Sequence, residues 1–187
     1  MAMRIWAAIL LLIAGLTGSA NAVDLDPNNT LLMDLRTGRV VIQLRPDLAP
    51  KTVAQMKKLA ARHFFDGTPF HRVIPGFMAQ GGDPTGTGTG GSYEKNLPAE
   101  FSNEPFVAGT VAMARTSDPN SANSQFFICF DDQGCAALKG QYTIWGKVVK
   151  GMEFVKQIKM GTEEGGGIVD HPDKIIKLKL MSDTSAN

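Results

Sequence analysis

Residues 70–83 (FHRVIPGFMAQGGD) restrict the fold of this chain more than any other stretch. Two short apolar runs flank a proline–glycine pair there, which predicts two β-strands that meet at a bend. Since alternate side chains of a strand point to opposite faces, Arg72 and Gln80 can approach each other on one face of this hairpin. The apolar side chains of Phe77 and Met78 can border the same concave surface. A fixed cation and an amide in an apolar wall suit an uncharged, partly apolar ligand such as a peptide. An ordinary buried hairpin with a surface arginine is the alternative that this stretch leaves open.

The first 22 residues have the pattern of an export signal. A positive charge at Arg4 precedes an apolar run over residues 5–16, and small residues then lead to an A-x-A cleavage site that ends at Ala22. The apolar run is shorter than the ~20 residues that a transmembrane helix needs. We therefore predict a cleavable signal peptide at 1–22 and a mature domain at 23–187, located in the periplasm or secreted. An uncleaved signal anchor is the alternative.

The composition of the mature chain limits its partners. Removing 22 residues from 187 leaves 165, in which 18 basic residues balance 18 acidic ones. A neutral chain without a basic run has no electrostatic reason to bind nucleic acid or, after signal cleavage, a membrane. A hydrophobic content of 43% excludes a disordered chain, and neither a repeat nor a linker divides it. We expect a single domain that acts as a monomer.

Strand signals dominate the mature chain. The runs 31–35 and 40–44 flank a turn that contains Gly38, and this pattern predicts a hairpin. Further strands are predicted at 70–74, 77–82, 110–115, 126–130, 142–149 and 174–181. Apolar residues at helical spacing predict a helix over 51–62, and a second short helix is expected near 152–158. Many strands with two helices predict a mainly β fold and suggest an antiparallel barrel capped at its ends, but hydrophobic alternation alone does not distinguish such a barrel from a sandwich.

The sequence contains no complete motif for binding a cofactor or a metal. The glycine-rich segment 83–91 satisfies the spacing G-x-G-x-x-G, but no amphipathic helix follows it to receive a pyrophosphate, so we predict a surface loop. The three histidines His63, His71 and His171 are scattered and lack the spacing of metal ligands. No G-x-S-x-G motif supports an acyl-transfer serine. We therefore expect chemistry without a cofactor and without a metal.

The two cysteines, Cys129 and Cys135, leave two alternatives open. Their short separation in an exported protein allows a disulfide. Cys129, however, ends the apolar run 126–130, where a small buried thiol also packs well. The sequence alone does not decide between a bridge and two thiols.

Three stretches together resemble the cyclophilin family of peptidyl-prolyl isomerases, in its exported bacterial form: residues 70–83, 124–128 (SQFFI) and 145–148 (WGKV). The resemblance runs from about Leu31 to Leu180. It implies an eight-stranded antiparallel closed barrel capped by two α-helices, with the active groove on its outer face. The implied activity is cis–trans isomerisation of X-Pro bonds in exported proteins as they fold, with proline-containing polypeptides as substrates. A non-catalytic chaperone that holds proline peptides in the same groove is the alternative.

The resemblance also implies roles for individual residues. By position, Arg72 is similar to the catalytic arginine of the family, and Gln80 to the glutamine that holds it and contacts the substrate carbonyl. The remaining implied substrate contacts are the apolar pocket for the proline ring, the stretch that pairs with the substrate backbone, and the groove wall: Phe77, Met78, Ala114, Arg115, Gln125, Phe127, Leu138 and Tyr142.

Two positions depart from the well-known eukaryotic members of the family. Ala137 stands where they have a tryptophan, and Tyr142 where they have a histidine. A tyrosine still offers a flat ring and a hydroxyl donor, so we expect proline binding to survive. Ala137 offers neither an aromatic wall nor an indole N–H. The resemblance implies that cyclosporin-sensitive relatives use this tryptophan both as an apolar wall and as an N–H donor to the inhibitor. We therefore expect an active isomerase that binds cyclosporin weakly.

Overall fold

The computed structural model describes residues 24–162 and 164–184. The predicted signal peptide at 1–22 lies outside the described residues, so its cleavage stays a prediction. Within the described ranges, no helix is both long and apolar enough to cross a membrane.

The described residues form eight strands and three α-helices. The strands are β1 (Thr30–Leu35), β2 (Gly38–Leu44), β3 (Arg72–Ile74), β4 (Met78–Gly81), β5 (Thr110–Met113), β6 (Phe126–Cys129), β7 (Ile144–Lys150) and β8 (Lys177–Leu180). The helices are α1 (Pro50–Ala61), α2 (Asp132–Cys135) and α3 (Met152–Val155). Every predicted strand and both predicted helices are confirmed, with boundaries shifted by a few residues.

Helix α2 is a single turn that the sequence analysis did not predict. The carboxylate of Asp131 accepts a hydrogen bond of 2.7 Å from the backbone N–H of Gly134 and thereby caps the turn. This capping satisfies a backbone donor that would otherwise lack a partner at the start of a helix. A four-residue turn has no hydrophobic periodicity, so only its cap could have indicated it.

The eight strands form one antiparallel sheet in the order β3-β4-β6-β5-β7-β2-β1-β8. Its edge strands, β3 and β8, are not joined by a continuous ladder. The chain before β3 instead pairs with the chain before β8 through an isolated bridge between Pro69 and Lys174, and a second bridge joins Arg72 to Ile168. The sheet is therefore a curled half-barrel, which confirms the mainly β antiparallel fold; full closure of the barrel stays a prediction.

The two faces of the sheet bury two separate apolar clusters, as strand β6 illustrates. Phe126 and Ile128 are completely buried in the main core, which also takes the apolar stripe of α1. Phe127 and Cys129 alternate with them and belong to a second cluster on the opposite face. Full burial of a side chain such as Phe126 or Ile128 stabilises the fold by about 1.5–3 kcal/mol. The period of two along each strand thus places the second cluster where a surface groove can form above it.

Candidate active site

The β3–β4 hairpin places Arg72 directly opposite Gln80. These residues are register partners, as are Ile74 and Met78, so all four side chains project from the same face. Between the strands, Gly76 adopts a φ of +68°, a conformation that glycine reaches without strain. The predicted meeting of cation and amide is therefore produced by the local register of one hairpin.

Two groups hold the guanidinium of Arg72 in place. Its Nε donates a hydrogen bond of 3.0 Å to the backbone carbonyl of Gly166, and its Nη1 donates one of 3.3 Å to Oε1 of Gln80. Both acceptors are uncharged, and among the described residues no carboxylate lies within 4.0 Å of this guanidinium. The cation is thus oriented but not neutralised, so its charge stays available to a ligand.

A surface cavity of about 210 Å³, with an apolar floor and polar groups at its rim, lies beside Arg72. Its lining contains nine of the ten site residues that the sequence analysis named: Arg72, Phe77, Met78, Gln80, Ala114, Arg115, Phe127, Leu138 and Tyr142. The floor is rigid, because Met78 and Phe127 are almost fully buried in the second cluster. Phe127 also stacks on Phe106, with ring centroids 6.3 Å apart. Sequence reasoning missed Phe106, which lies outside the strands.

Gln125, the tenth residue, lies next to this cavity and extends its polar rim. Nε2 of Gln80 donates to Oε1 of Gln125 over 3.0 Å, and Nε2 of Gln125 donates to the carbonyls of Gly88 and Gly90 over 3.0 and 2.8 Å. A continuous chain of hydrogen bonds therefore runs from Arg72 to the glycine-rich loop. Such a connected chain restricts the rotamers of its members and orients the guanidinium of Arg72 in advance.

Asp83 organises the glycine-rich segment at 83–91. As predicted, this segment is a loop, and no helix begins directly after its glycines. The buried carboxylate of Asp83 accepts hydrogen bonds from the Thr85 hydroxyl and from the backbone N–H groups of Thr85, Gly88 and Gly90. Burial pushes the pKa of Asp83 upward, but the four hydrogen bonds outweigh it and hold that pKa below its usual range. The carboxylate thus stays ionised and fixes the loop that Gln125 contacts.

His71 directly precedes β3 and is buried, unlike its neighbour Arg72. Its side chain is only 7% exposed, and neither ring nitrogen has a hydrogen-bond partner among the described residues. Burial lowers the pKa of His71 although the negative charge of Asp83 opposes the change. The ring is therefore a neutral packed group. No cluster of three potential metal ligands occurs in residues 24–162 and 164–184.

Cys129 and Cys135 form a disulfide, whereas the sequence had left open whether they are bridged or are two thiols. The bridge fastens α2 to β6 within the second cluster, which also contains the cavity floor. Sγ of Cys135 lies 3.5 Å from the carbonyl oxygen of Phe77. The two half-cystines therefore help to hold the segment that leads to Leu138, one wall of the cavity.

Fold and site together define a class of protein: an antiparallel β half-barrel with an oriented arginine at the edge of a surface cavity that has an apolar floor. Comparison with known proteins identifies that class more closely. Residues 30–180 match the model of the family described as cyclophilin type peptidyl-prolyl cis-trans isomerase/CLD. A probable peptidyl-prolyl cis-trans isomerase of Brucella suis is 53% identical over 189 residues, which cover 95% of this chain and 94% of the relative.

Solved structures agree with the sequence match. A cyclophilin from Hirschia baltica has a TM-score of 0.75 and 29% identity, and the match covers 85% of this chain and 76% of that one. A cyclophilin type isomerase from Cryptosporidium parvum, crystallised in the presence of the dipeptide Ala-Pro, has a TM-score of 0.71 and 28% identity, with coverage of 81% and 98%. The chain belongs to the cyclophilin-type peptidyl-prolyl cis-trans isomerases and is an enzyme of that activity.

Proposed function

We propose that this isomerase accelerates rotation about X-Pro bonds in exported polypeptides while they fold, and that Arg72 is its catalytic residue. The observation that carries the assignment is the position of Arg72 at the border of the 210 Å³ cavity, with Nε and Nη1 held from two sides. A proline ring is uncharged and compact, so the apolar floor that Phe127 and Met78 give this cavity suits it. The Ala-Pro dipeptide used with the Cryptosporidium relative supports a proline-containing ligand here.

The reaction needs only a lower barrier. Rotation about a peptide bond has a barrier of about 18–20 kcal/mol, because the nitrogen lone pair is shared with the carbonyl. Cis and trans X-Pro bonds differ by only about 0.5–1 kcal/mol, so no energy source is required. In the twisted state the lone pair returns to nitrogen, which becomes pyramidal and basic. A cationic N–H donor beside that nitrogen binds the twisted state more tightly than either planar state.

The hydrogen-bond chain behind Arg72 provides the preorganisation that this mechanism needs. Gln80 accepts from Arg72 and is itself held by Gln125, so the guanidinium need not reorient during turnover. We propose that Gln80 also contacts the substrate carbonyl, and that Ala114 lies along the substrate backbone. Each ~1.4 kcal/mol of preference for the twisted state increases the rate about tenfold.

The catalytic role is tested with Arg72→Lys and Arg72→Ala in a protease-coupled assay on a short proline peptide. Lysine keeps the charge but lacks the planar fork, so both variants should lose most of kcat/KM. Melting temperatures should stay near the wild-type value, because Arg72 is a half-buried groove residue outside the core. Arg45→Lys is the matched control, since Arg45 pairs with Asp47 and Glu104 outside the groove. Near-normal turnover in Arg72→Lys would refute the assignment.

We further propose that the enzyme is periplasmic or secreted and acts there as a monomer. The support is the signal pattern of residues 1–22 together with the Cys129–Cys135 disulfide, a type of bond that persists in oxidising compartments. Mass spectrometry of the exported protein should find Val23 as its first residue. An intact Met1 in that fraction would contradict the proposal.

A further inference from the structure

The guanidinium of Arg115 donates hydrogen bonds to backbone carbonyls of three residues. Nε and Nη2 donate to the carbonyl of Gln141 over 3.1 and 3.0 Å. Nη1 donates to the carbonyls of Thr116 and Ser117 over 2.8 and 3.4 Å. Among the described residues no carboxylate lies within 4.0 Å of it. Arg115 thus ties the end of β5 to a distant loop.

The same guanidinium lies over the face of an aromatic ring in the cavity wall. Cζ of Arg115 is 4.8 Å from the ring centroid of Tyr142, and 5.7 Å from that of Phe101. Tyr142 meets Phe127 edge to face, with centroids 5.5 Å apart. Its ring is therefore held between a cation on one side and the cavity floor on the other, an arrangement that favours a single ring orientation.

Gln141, whose carbonyl accepts hydrogen bonds from Arg115, belongs to a loop that carries two residues of the cavity lining. The backbone N–H of Gln141 donates to the carbonyl of Leu138 over 3.0 Å, and its Nε2 donates to the carbonyl of Ala137 over 2.7 Å. Leu138 and Tyr142 both line the 210 Å³ cavity. One arginine therefore fixes the loop that carries both side chains. No other cation is bonded to this loop among the described residues.

We propose that Arg115 is a positioning residue that sets the shape of the proline cavity by holding Tyr142 and the 137–142 loop. This inference depends on the proposed function of the cavity as the site for the proline ring. Arg115 acts on substrate binding through Tyr142, while Arg72 acts on the barrier. The fork of the guanidinium is essential, because one ammonium cannot bond the carbonyl of Gln141 and cover the ring at once.

A spectroscopic test reads the position of Tyr142 without activity. The chain has two tyrosines, Tyr93 and Tyr142, and Tyr93 is fully exposed, so it serves as an internal reference. In tyrosine-labelled protein, the ring signals of Tyr142 should be displaced from those of Tyr93 by the neighbouring Phe127 ring. In Arg115→Ala they should move toward the Tyr93 signals and broaden. Arg115→Lys keeps charge and stem and should change in the same way, while Arg45→Ala should leave the signals unchanged.

Kinetics on a short proline peptide give the second readout. Arg115→Ala should raise KM about fivefold and change kcat by less than about twofold, the pattern of lost uniform binding. Tyr142→Leu should raise KM to a similar extent. The double variant should have a KM no higher than that of Tyr142→Leu alone, because both substitutions remove the same contact of Tyr142 with the substrate. Additive losses, or unchanged Tyr142 signals in both Arg115 variants, would overturn the positioning role. Full activity in Arg72→Ala would overturn the proposed function instead and leave the spectroscopic result standing.

Discussion

Arg72 and Gln80 are eight residues apart in sequence and directly opposed across the β3–β4 pair, with Nη1 and Oε1 3.3 Å apart. A hydrogen bond from the same guanidinium to the carbonyl of Gly166 spans 94 residues. The first contact follows from a hairpin register, and the second from the path of the whole chain. Activity should therefore depend on both a local and a distant element.

Replacement of Gln80 by leucine should reduce kcat/KM about tenfold or more. Leucine has similar volume but cannot accept from Arg72 or donate to Gln125, and a hydrogen bond to a charged group contributes about 1.5–3 kcal/mol. The melting temperature should change little, because Gln80 is only half-buried. Gln157→Leu, in an exposed turn after α3, is the control. Turnover within about twofold of wild type would exclude a role for Gln80 in orienting Arg72.

Substitution of Gly167 by alanine should lower activity through the loop that supplies the Gly166 carbonyl. Gly167 has a φ of +84°, and an added Cβ would lie 2.4 Å from Cγ1 of Ile74, so the loop must shift. Gly67→Ala has a similar φ of +78° with open space around the new Cβ, so it carries the same backbone strain without the clash. Measuring kcat/KM for both should show a loss only in Gly167→Ala. Equal losses would assign the effect to backbone strain alone.

Removal of the disulfide in Cys129→Ala/Cys135→Ala should destabilise the fold. A bridge that closes so short a loop stabilises by about 2 kcal/mol through the unfolded chain, which corresponds to roughly 4–8 °C in melting temperature for a domain of this size. Thermal unfolding of the wild type with and without reductant provides the matched comparison. Identical melting temperatures in all three samples would show that the bridge contributes nothing to stability.

His71 should make stability depend on pH below neutrality. Burial lowers its pKa in the folded state, whereas the unfolded chain protonates this ring at about pH 6.5. The unfolded state therefore binds more protons as the pH falls below about 6.5, and the free energy of unfolding decreases. His71→Leu removes the titration without removing a hydrogen bond, so it should lose less melting temperature between pH 7.5 and 5 than wild type. The exposed His171→Asn is the control, and parallel losses in all three would contradict the assignment.

Cyclosporin should inhibit this enzyme weakly. Ala137 is exposed in the 3-10 turn Ala136–Leu138 and is absent from the cavity lining. A missing indole removes a hydrogen bond of about 1 kcal/mol and apolar contact of about 2 kcal/mol, which together weaken binding roughly a hundredfold. Ala137→Trp should recover part of the affinity in the same assay. Nanomolar inhibition of the wild type would show the argument to be wrong.

The sequence was sufficient for those features that depend on neighbours along the chain. Alternation of side chains assigned Arg72 and Gln80 to one face, and the spacing of Val53, Met56 and Leu59 indicated α1. The resemblance to the cyclophilins named all nine residues that line the 210 Å³ cavity. Strand periodicity and turn chemistry act over a few residues, so they remain legible without tertiary information.

The tertiary structure decided what depends on distant segments meeting. The sequence offered no sign that the carbonyl of Gly166 accepts from Arg72, since any backbone carbonyl is chemically alike until the chain path selects one. It left the pairing of Cys129 with Cys135 open, because a thiol and a half-cystine are equally compatible with a buried strand end. It offered no sign that the guanidinium of Arg115 bonds the carbonyls of Gln141 and Thr116, because these acceptors are selected only by the path of the chain. Local pattern determines which face a side chain occupies, whereas the partner on that face is set only when segments remote in sequence pack together.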